Sequence, residues 1–282
     1  MPKLQTESAR ITVVGGDMPF EVLSGTYVQQ RFAPHTHETY AIGTIERGAS
    51  RVQYRGETVL HTVGEVIAID PGEPHTGETA SPDGWTYRML YVPVALISSL
   101  GVMDSPPQFA RSAYRDPDLA RRLVTAHRLL ESDASTGEKL AALGRVLREL
   151  CQRHATPSRD ERRVRRTLAL DRVRRHVEAH YASRIAVADL ADLAHMSVFH
   201  LIRQFRLAYG LPPYMYLEQV RVTRAKELLR RGDHITSVAY VTGFSDQSHL
   251  TRRFKRIVGV PPGQYAKCYA AAPARITAQR VA

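Results

Sequence analysis

Between Phe20 and Val92, apolar and polar residues alternate in short runs separated by turn residues. The runs are Glu21–Phe32, Tyr40–Glu46, Ser50–Tyr54, Glu57–Thr62, Glu65–Asp70, His75–Glu78 and Trp85–Val92. Arg47-Gly48, Arg55-Gly56, Val63-Gly64, Pro71-Gly72 and Asp83-Gly84 mark the turns. A period of two puts successive side chains on opposite faces, and several short runs at this spacing predict an all-β barrel or sandwich. A loose arm, residues 1–19, precedes them with one short strand at Ile11–Val14. The period then lengthens. Asp118–Ser132 carries Leu119, Leu123 and Leu130, and Gly137–His154 carries Leu140, Leu143, Val146 or Leu147, and Leu150. One apolar stripe per segment predicts two amphipathic helices, and the plain reading is that their stripes cover the barrel. Pro157 and the charges that follow it then predict a linker over 156–166.

The last third is helical and repeats itself. A helix over Leu168–Tyr181 leads into the run Leu190–Phe205, and a second run, Val238–Phe254, follows a connecting helix over Pro213–Arg231 that stops at Gly232. When Phe205 is laid on Phe254, His200-Leu201 falls on His249-Leu250, Gly210 on Gly259, Pro212-Pro213 on Pro261-Pro262 and Tyr216 on Tyr265. Upstream, Ala191 matches Ala239 with the second turn one residue longer. Each unit has a short apolar helix, a tight turn, an N-cap residue (Ser197; Asp246 or Ser245) and a second helix. Leu201, Phe205 and Ala208 form the inner face of that second helix in one unit, and Leu250, Phe254 and Ile257 or Val258 do so in the other. This is a tandem pair of helix-turn-helix units.

The outer faces carry Phe199, Ile202, Arg203 and Arg206 in the first unit, and Gln247, Ser248, Thr251, Arg252 and Lys255 in the second. Arg pairs with guanine and Gln with adenine through two hydrogen bonds, while Phe and Ile can touch a thymine methyl. One such face alone is equally well a solvated helix surface. Two in tandem with the same layout favour DNA.

Charge sharpens this. The chain of 282 residues has a net charge of +11. Residues 156–282 hold 23 Lys and Arg against 10 Asp and Glu, whereas residues 1–155 hold 16 against 18. The positive charge is confined to the repeat, as a phosphate-binding surface requires. A uniformly basic, membrane-seeking surface would not divide this way. Cys151 and Cys268 have no metal or redox spacing and read as reduced thiols. Met1–Ile11 lacks the apolar core of a signal peptide, and no run is long enough to span a membrane, so a cytoplasmic location is expected.

The stretch from Leu168 to Tyr269 resembles the DNA-binding domain of AraC-type transcription regulators. The resemblance rests on Leu190-Ala191, the Phe-His-Leu-Ile-Arg-Gln-Phe run at 199–205, Gly210-Leu211-Pro212-Pro213, Arg221–Ala225, Gly243-Phe244-Ser245-Asp246 and Gly259-Val260-Pro261-Pro262 with Tyr265. It implies that each recognition helix enters a major groove, with Phe199, Ile202, Arg203, Gln247, Ser248, His249 and Arg252 as base readers. Arg206 joins them from the face pattern. Ile202 stands where polar readers are common, which implies apolar contact there.

The first half resembles the cupin-like effector-binding barrel of many such regulators, on Pro34-His35-Thr36-His37-Glu38, Arg47-Gly48 and the run Gly64–His75. Imidazole suits zinc, iron or copper, but a metal-binding cupin usually also supplies a Glu after the second His, and here Ala41 and Ile42 stand in that region. His35, His37 and His75 are therefore assigned to an effector pocket rather than to a metal, with turn-satisfying histidines as the plain alternative. Trp85, Tyr87 and Tyr91 share one strand face and form an aromatic wall of that pocket or an ordinary core. Arg88 points the other way, toward solvent.

The expected architecture is α+β with two domains. A cupin-like β-barrel with helices occupies 1–155, an all-α double helix-turn-helix domain occupies 167–270, and a tail covers 271–282. The expected partners are double-stranded DNA, a small-molecule effector, RNA polymerase and a second copy of the chain, since the resemblance implies that the two stripe-bearing helices pair subunits. No catalytic residue, cofactor or membrane is assigned. Two rivals stay open: a metal-cupin enzyme fused to a DNA module, and a regulator whose barrel only dimerises.

Overall fold

A computed structural model describes residues 6–15, 18–103, 105–156 and 167–270. The expected linker, 156–166, lies outside them except for Thr156, and so does the tail at 271–282. Strands β1 (Ser8–Val14), β2 (Phe20–Tyr27), β3 (Phe32–His35), β4 (Tyr40–Tyr54), β5 (Glu57–Thr62), β6 (Glu65–Ile69), β7 (His75–Thr79), β8 (Trp85–Val92) and β9 (Ala113–Arg115) build the first domain with helices α1 (Val94–Ser99), α2 (Pro117–Glu131) and α3 (Thr136–His154). All named strand pairs are antiparallel, in the order β1-β2-β8-β4-β6-β9, with β4 also pairing β5 and β7, and β7 pairing β3.

Alternation along the strands gives the sheet two buried faces. Trp85, Tyr87 and Met89 of β8 point into the barrel with Ile45, Val52, Ile67 and Ile69. Leu90 and Val92 point outward with Val22, Ile42 and Val66, onto Leu119, Leu123, Leu130, Leu143, Leu147 and Leu150 of α2 and α3. The helix stripes therefore cover the barrel. The outward side of the helix pair is polar, with Asp118, Arg121, Arg122, Arg128 and Lys139 exposed or partly so.

Three local expectations are corrected. The first long strand ends at Tyr27, because Glu7 Oε1 accepts from the backbone N–H groups of Val28, Gln29 and Gln30 (3.1, 2.6 and 2.8 Å) and turns the chain before β3. Arg47-Gly48 is not a turn. β4 runs through it with a bulge between Ile45 and Arg47 and passes from β8 to β5 and β7. Gly48 has φ +71°, and a Cβ there would meet Gly84 O at 2.2 Å, so only glycine fits the bulge. Arg88 is not solvated: it pairs with Glu46 (2.7 Å) and Glu131 (2.8 Å) under α2.

The second domain is helical: α4 (Leu168–Ala179), α5 (Val187–Ala194), α6 (Val198–Tyr209), α7 (Pro213–Arg231), α8 (Ile235–Val241), α9 (Gln247–Val258) and α10 (Pro262–Ala270). The two helix-turn-helix units are α5–α6 and α8–α9. Ser197 and Asp246 are the N-caps, each accepting from the backbone N–H three residues on (3.3 and 2.7 Å). Ala191 and Ala239 are both buried, letting the first helix of each unit approach the second. The first unit packs with α4 in its own core of Leu170, Val173, Leu190, Leu201 and Phe205. The second unit, built on Val238, Phe244, Leu250, Phe254 and Tyr265, is continuous with the barrel core.

Candidate nucleic-acid interface and sensing pocket

Helix α6 buries Leu201 and Phe205, and helical spacing leaves Phe199, Ile202, Arg203 and Arg206 on the opposite, exposed side. Phe199 is 78% exposed and sits beside exposed Val198 and Ile202, so the outer face of α6 carries an apolar patch. Helix α9 buries Leu250, Phe254, Ile257 and Val258 and exposes Gln247, Ser248 and Arg252. Arg203 and Arg252 make no salt bridge among the described residues, so both guanidinium groups are available. His249 differs from its neighbours. It is half-buried, with Nδ1 3.2 Å from Ser245 Oγ and its ring edge-on to Phe244. Gln247 Oε1 accepts from Thr236 Oγ1 at 3.0 Å. Arg221 of α7 donates to the carbonyls of Tyr181 and Ser183 (2.7 and 2.9 Å), so it braces the domain.

His35, His37, His75, Trp85, Tyr87 and Tyr91 do converge on one cavity inside the barrel. Phe32 and His61 line it as well; alternation alone did not single them out. Ring centroids of His35, His37 and His75 lie 4.4–5.1 Å apart. Burial and the neighbouring His75 hold His35 down at about 3, and burial also lowers His37 and His75, so all three are neutral. The cavity is small, about 60 Å³. His37 and Tyr91 also face a cleft of about 1100 Å³ between the barrel and the helical domain.

Comparison with known proteins agrees with this geometry. Residues 18–148 match the AraC-like ligand binding domain, and residues 190–267 match a helix-turn-helix domain. The chain is 29% identical over 230 residues to the uncharacterized HTH-type transcriptional regulator YbfI of Bacillus subtilis, covering 79% of this chain and 82% of that protein. It is 25% identical over 237 residues to the HTH-type transcriptional activator RhaS of Klebsiella pneumoniae, covering 81% and 85%. The chain belongs to the AraC-type family of transcription regulators. In fold it is similar to fatty-acid-bound ToxT of Vibrio cholerae (TM-score 0.53, 12% identity, 98% of this chain and 100% of that one). It is thus a DNA-binding regulator with an N-terminal ligand-binding domain, and no helix among the described residues is long and apolar enough to cross a membrane.

In this regulator the two domains meet at a buried carboxylate that the sequence pattern did not mark. Glu21, opposite Tyr91 in the β2–β8 ladder, is 5% exposed. Its carboxylate accepts from Arg230 (2.6 Å) and Lys226 (3.2 Å) of α7 and from the Tyr265 and Tyr269 hydroxyls of α10. Burial pushes its carboxyl up, but Lys226, Arg230 and Tyr265 outweigh that and hold it at about 2. The C-terminal ends of both recognition helices also touch the barrel. Tyr27 donates to Gly259 O (3.1 Å) and Gln30 to Lys255 O (3.0 Å) at the end of α9. At the end of α6, Gly210 lies so close to Pro74 that a Cβ would come within 1.9 Å of its ring.

Proposed function

We propose that this regulator reads two successive major grooves with α6 and α9, and that a small-molecule effector controls their relative placement from the interdomain cleft. Phe199, Ile202, Arg203 and Arg206 of one helix and Gln247, Ser248 and Arg252 of the other are the base readers, with His249 bracing its turn. The barrel cavity is too small for an organic effector, since drug-sized sites run from about 300 Å³ upward. The cleft is large enough, and His37 and Tyr91 would meet the effector at its barrel wall, with Trp85 and Tyr87 behind them. ToxT, the structural neighbour, was solved with an unsaturated fatty acid bound, and this cleft carries both signs of charge, with Arg174, Arg224 and Lys226 paired to Glu178, Glu227 and Glu21, which suits a polar molecule able to exchange with those pairs.

One observation carries the reading: the second unit shares its core with the barrel while the first has a core of its own. A ligand that shifts the barrel against α7 moves the second unit relative to the first. Its differential affinity for the two arrangements sets how far it can bias them. A homodimer through the polar face of α2–α3, contact with RNA polymerase, and action on chromosomal DNA in the cytoplasm complete the reading. The chain is assigned no reaction of its own. The test is a thermal-shift screen of small metabolites on the full-length protein, followed by transcription assays with the hits. A hit whose effect is lost in Lys226→Ala and Tyr91→Phe supports the cleft. A hit indifferent to both excludes it.

A further inference from the structure

We propose that His35, His37 and His75 together bind one divalent transition-metal ion of the zinc or iron(II) class, at the floor of the interdomain cleft. One ring nitrogen from each histidine lies within 4.8 Å of the other two. Nitrogens held tetrahedrally at about 2.0–2.1 Å from one ion lie ~3.4 Å apart. The widest pair therefore needs to close by up to ~1.4 Å, within reach of small side-chain rotations.

The hydrogen bonds around the triad fix the tautomers. His35 Nδ1 lies 2.7 Å from Ala33 O, and His75 Nδ1 lies 3.0 Å from Glu73 O. A carbonyl only accepts, so each Nδ1 carries the hydrogen and each Nε2 is a bare lone pair. An imidazole whose far N–H is anchored on a backbone carbonyl is oriented as a metal ligand. His35 Nε2 stands 3.2 Å from His37 Nε2, and His75 Nε2 makes no hydrogen bond among the described residues. In the plain arrangement His37 Nε2–H donates to His35 Nε2, and the His75 Nε2 lone pair stays unused. With the His37 hydrogen on Nδ1 instead, an ion uses all three Nε2 lone pairs.

The surroundings favour an ion over a larger guest. The cavity of about 60 Å³ has room for an ion and one or two waters, a water's share of liquid volume being about 30 Å³. Three neutral nitrogens with no carboxylate suit zinc, iron(II), cobalt or copper and not magnesium or calcium, which require oxygen. Lys226 is the cation whose charge reaches His35 and His37, and Glu21 pairs with it. Gly72 N–H donates to His37 O at 2.7 Å, which ties together the two loops that supply the ligands. Because His37 and Tyr91 also border the cleft, the remaining coordination positions of the ion would open toward it.

The test uses full-length protein without a histidine tag, stripped with chelator and dialysed. Cobalt(II) is added stepwise while visible absorption is recorded, and zinc(II) or magnesium(II) is added during thermal melts. The expected result is ligand-field bands that saturate at one cobalt per chain and are bleached by zinc. Zinc at a hundredfold excess over Kd should raise Tm by about 5 °C, and magnesium should not. His35→Gln/His75→Gln should lose both responses. No cobalt bands and no zinc shift in the unaltered protein would overturn the proposal, as would bands that persist unchanged in the double variant if it still melts cooperatively. None of these readouts involves an effector, so failure here removes the ion and leaves the cleft to its own screen.

Discussion

His195 and Gly243 hold equivalent places in the two turns, and both adopt left-handed backbone, with φ 53° and 79°. Only the second site requires glycine, because a Cβ there would lie 2.7 Å from Ala182 O. Gly243→Ala should therefore cost about 2 kcal/mol or more, combining left-handed strain with the displaced carbonyl. Denaturant unfolding of the variant measures this, and an unchanged midpoint would mean that the turn relaxes freely. At the recognition faces, Arg203→Ala and Arg252→Ala should each weaken specific binding by about 1–3 kcal/mol and relax the preference at one or two base pairs. Titration against selected DNA and its point variants is the measurement, and wild-type affinity in both variants would mean that the faces are misassigned. The exposure of these positions was legible in the sequence because helical spacing fixes the outer face once Leu201, Phe205, Leu250 and Phe254 are taken as core. Arg88 was not legible: its partners Glu46 and Glu131 come from a distant strand and helix, and strand alternation says which way a side chain points, not what covers it.

At the scale of elements, the tandem units were the most legible part, since each carries its own cap, buried alanine and αL residue at matching places. The strand pattern was legible except where tertiary contacts override local signals. Gly48 resembles a turn glycine and serves a bulge, and Glu7 breaks a strand that alternation would continue. The stripes of α2 and α3 cover the barrel, which corrects the expectation that they pair subunits: their apolar side chains are already buried within the chain. Glu21 lay hidden because its partners are some two hundred residues away, on α7 and α10. Glu21→Gln keeps the shape and removes the charge. It should lower stability by about 2 kcal/mol, near the lower end for breaking a buried pair because Lys226 and Arg230 keep partial access to water. Amide exchange in α10 should quicken with it, and unchanged exchange would mean that apolar packing alone joins the domains. The carboxyl of Glu21 is depressed in the folded state from an ordinary 4.5 to about 2. Its contribution is thus fully present above pH 4.5 and lost as pH falls toward 2. Tyr91, Tyr265, Tyr269, Lys226 and Arg230 face it; burial raises the three tyrosines, and Glu21 raises Arg230, so these four keep their charge states across that range. A pH series should therefore show no Glu21-dependent change in Tm from pH 5 to 8 and a shrinking difference between wild type and Glu21→Gln below pH 4.5.

For the whole molecule, the regulator is a barrel with one DNA-reading unit joined to its core and the other held beside it. Charge divides between the two halves of the chain instead, the barrel half slightly acidic and the helical half basic. The central claim is that both units engage DNA at once, through successive major grooves about 34 Å apart on one face of the duplex. A hydroxyl-radical footprint tests it most directly, using the full-length protein on a genomic fragment selected for tight binding. Two protected patches one helical turn apart are predicted, with Arg203→Ala weakening one and Arg252→Ala weakening the other. A single short patch, or two patches that both substitutions weaken equally, would contradict the tandem account.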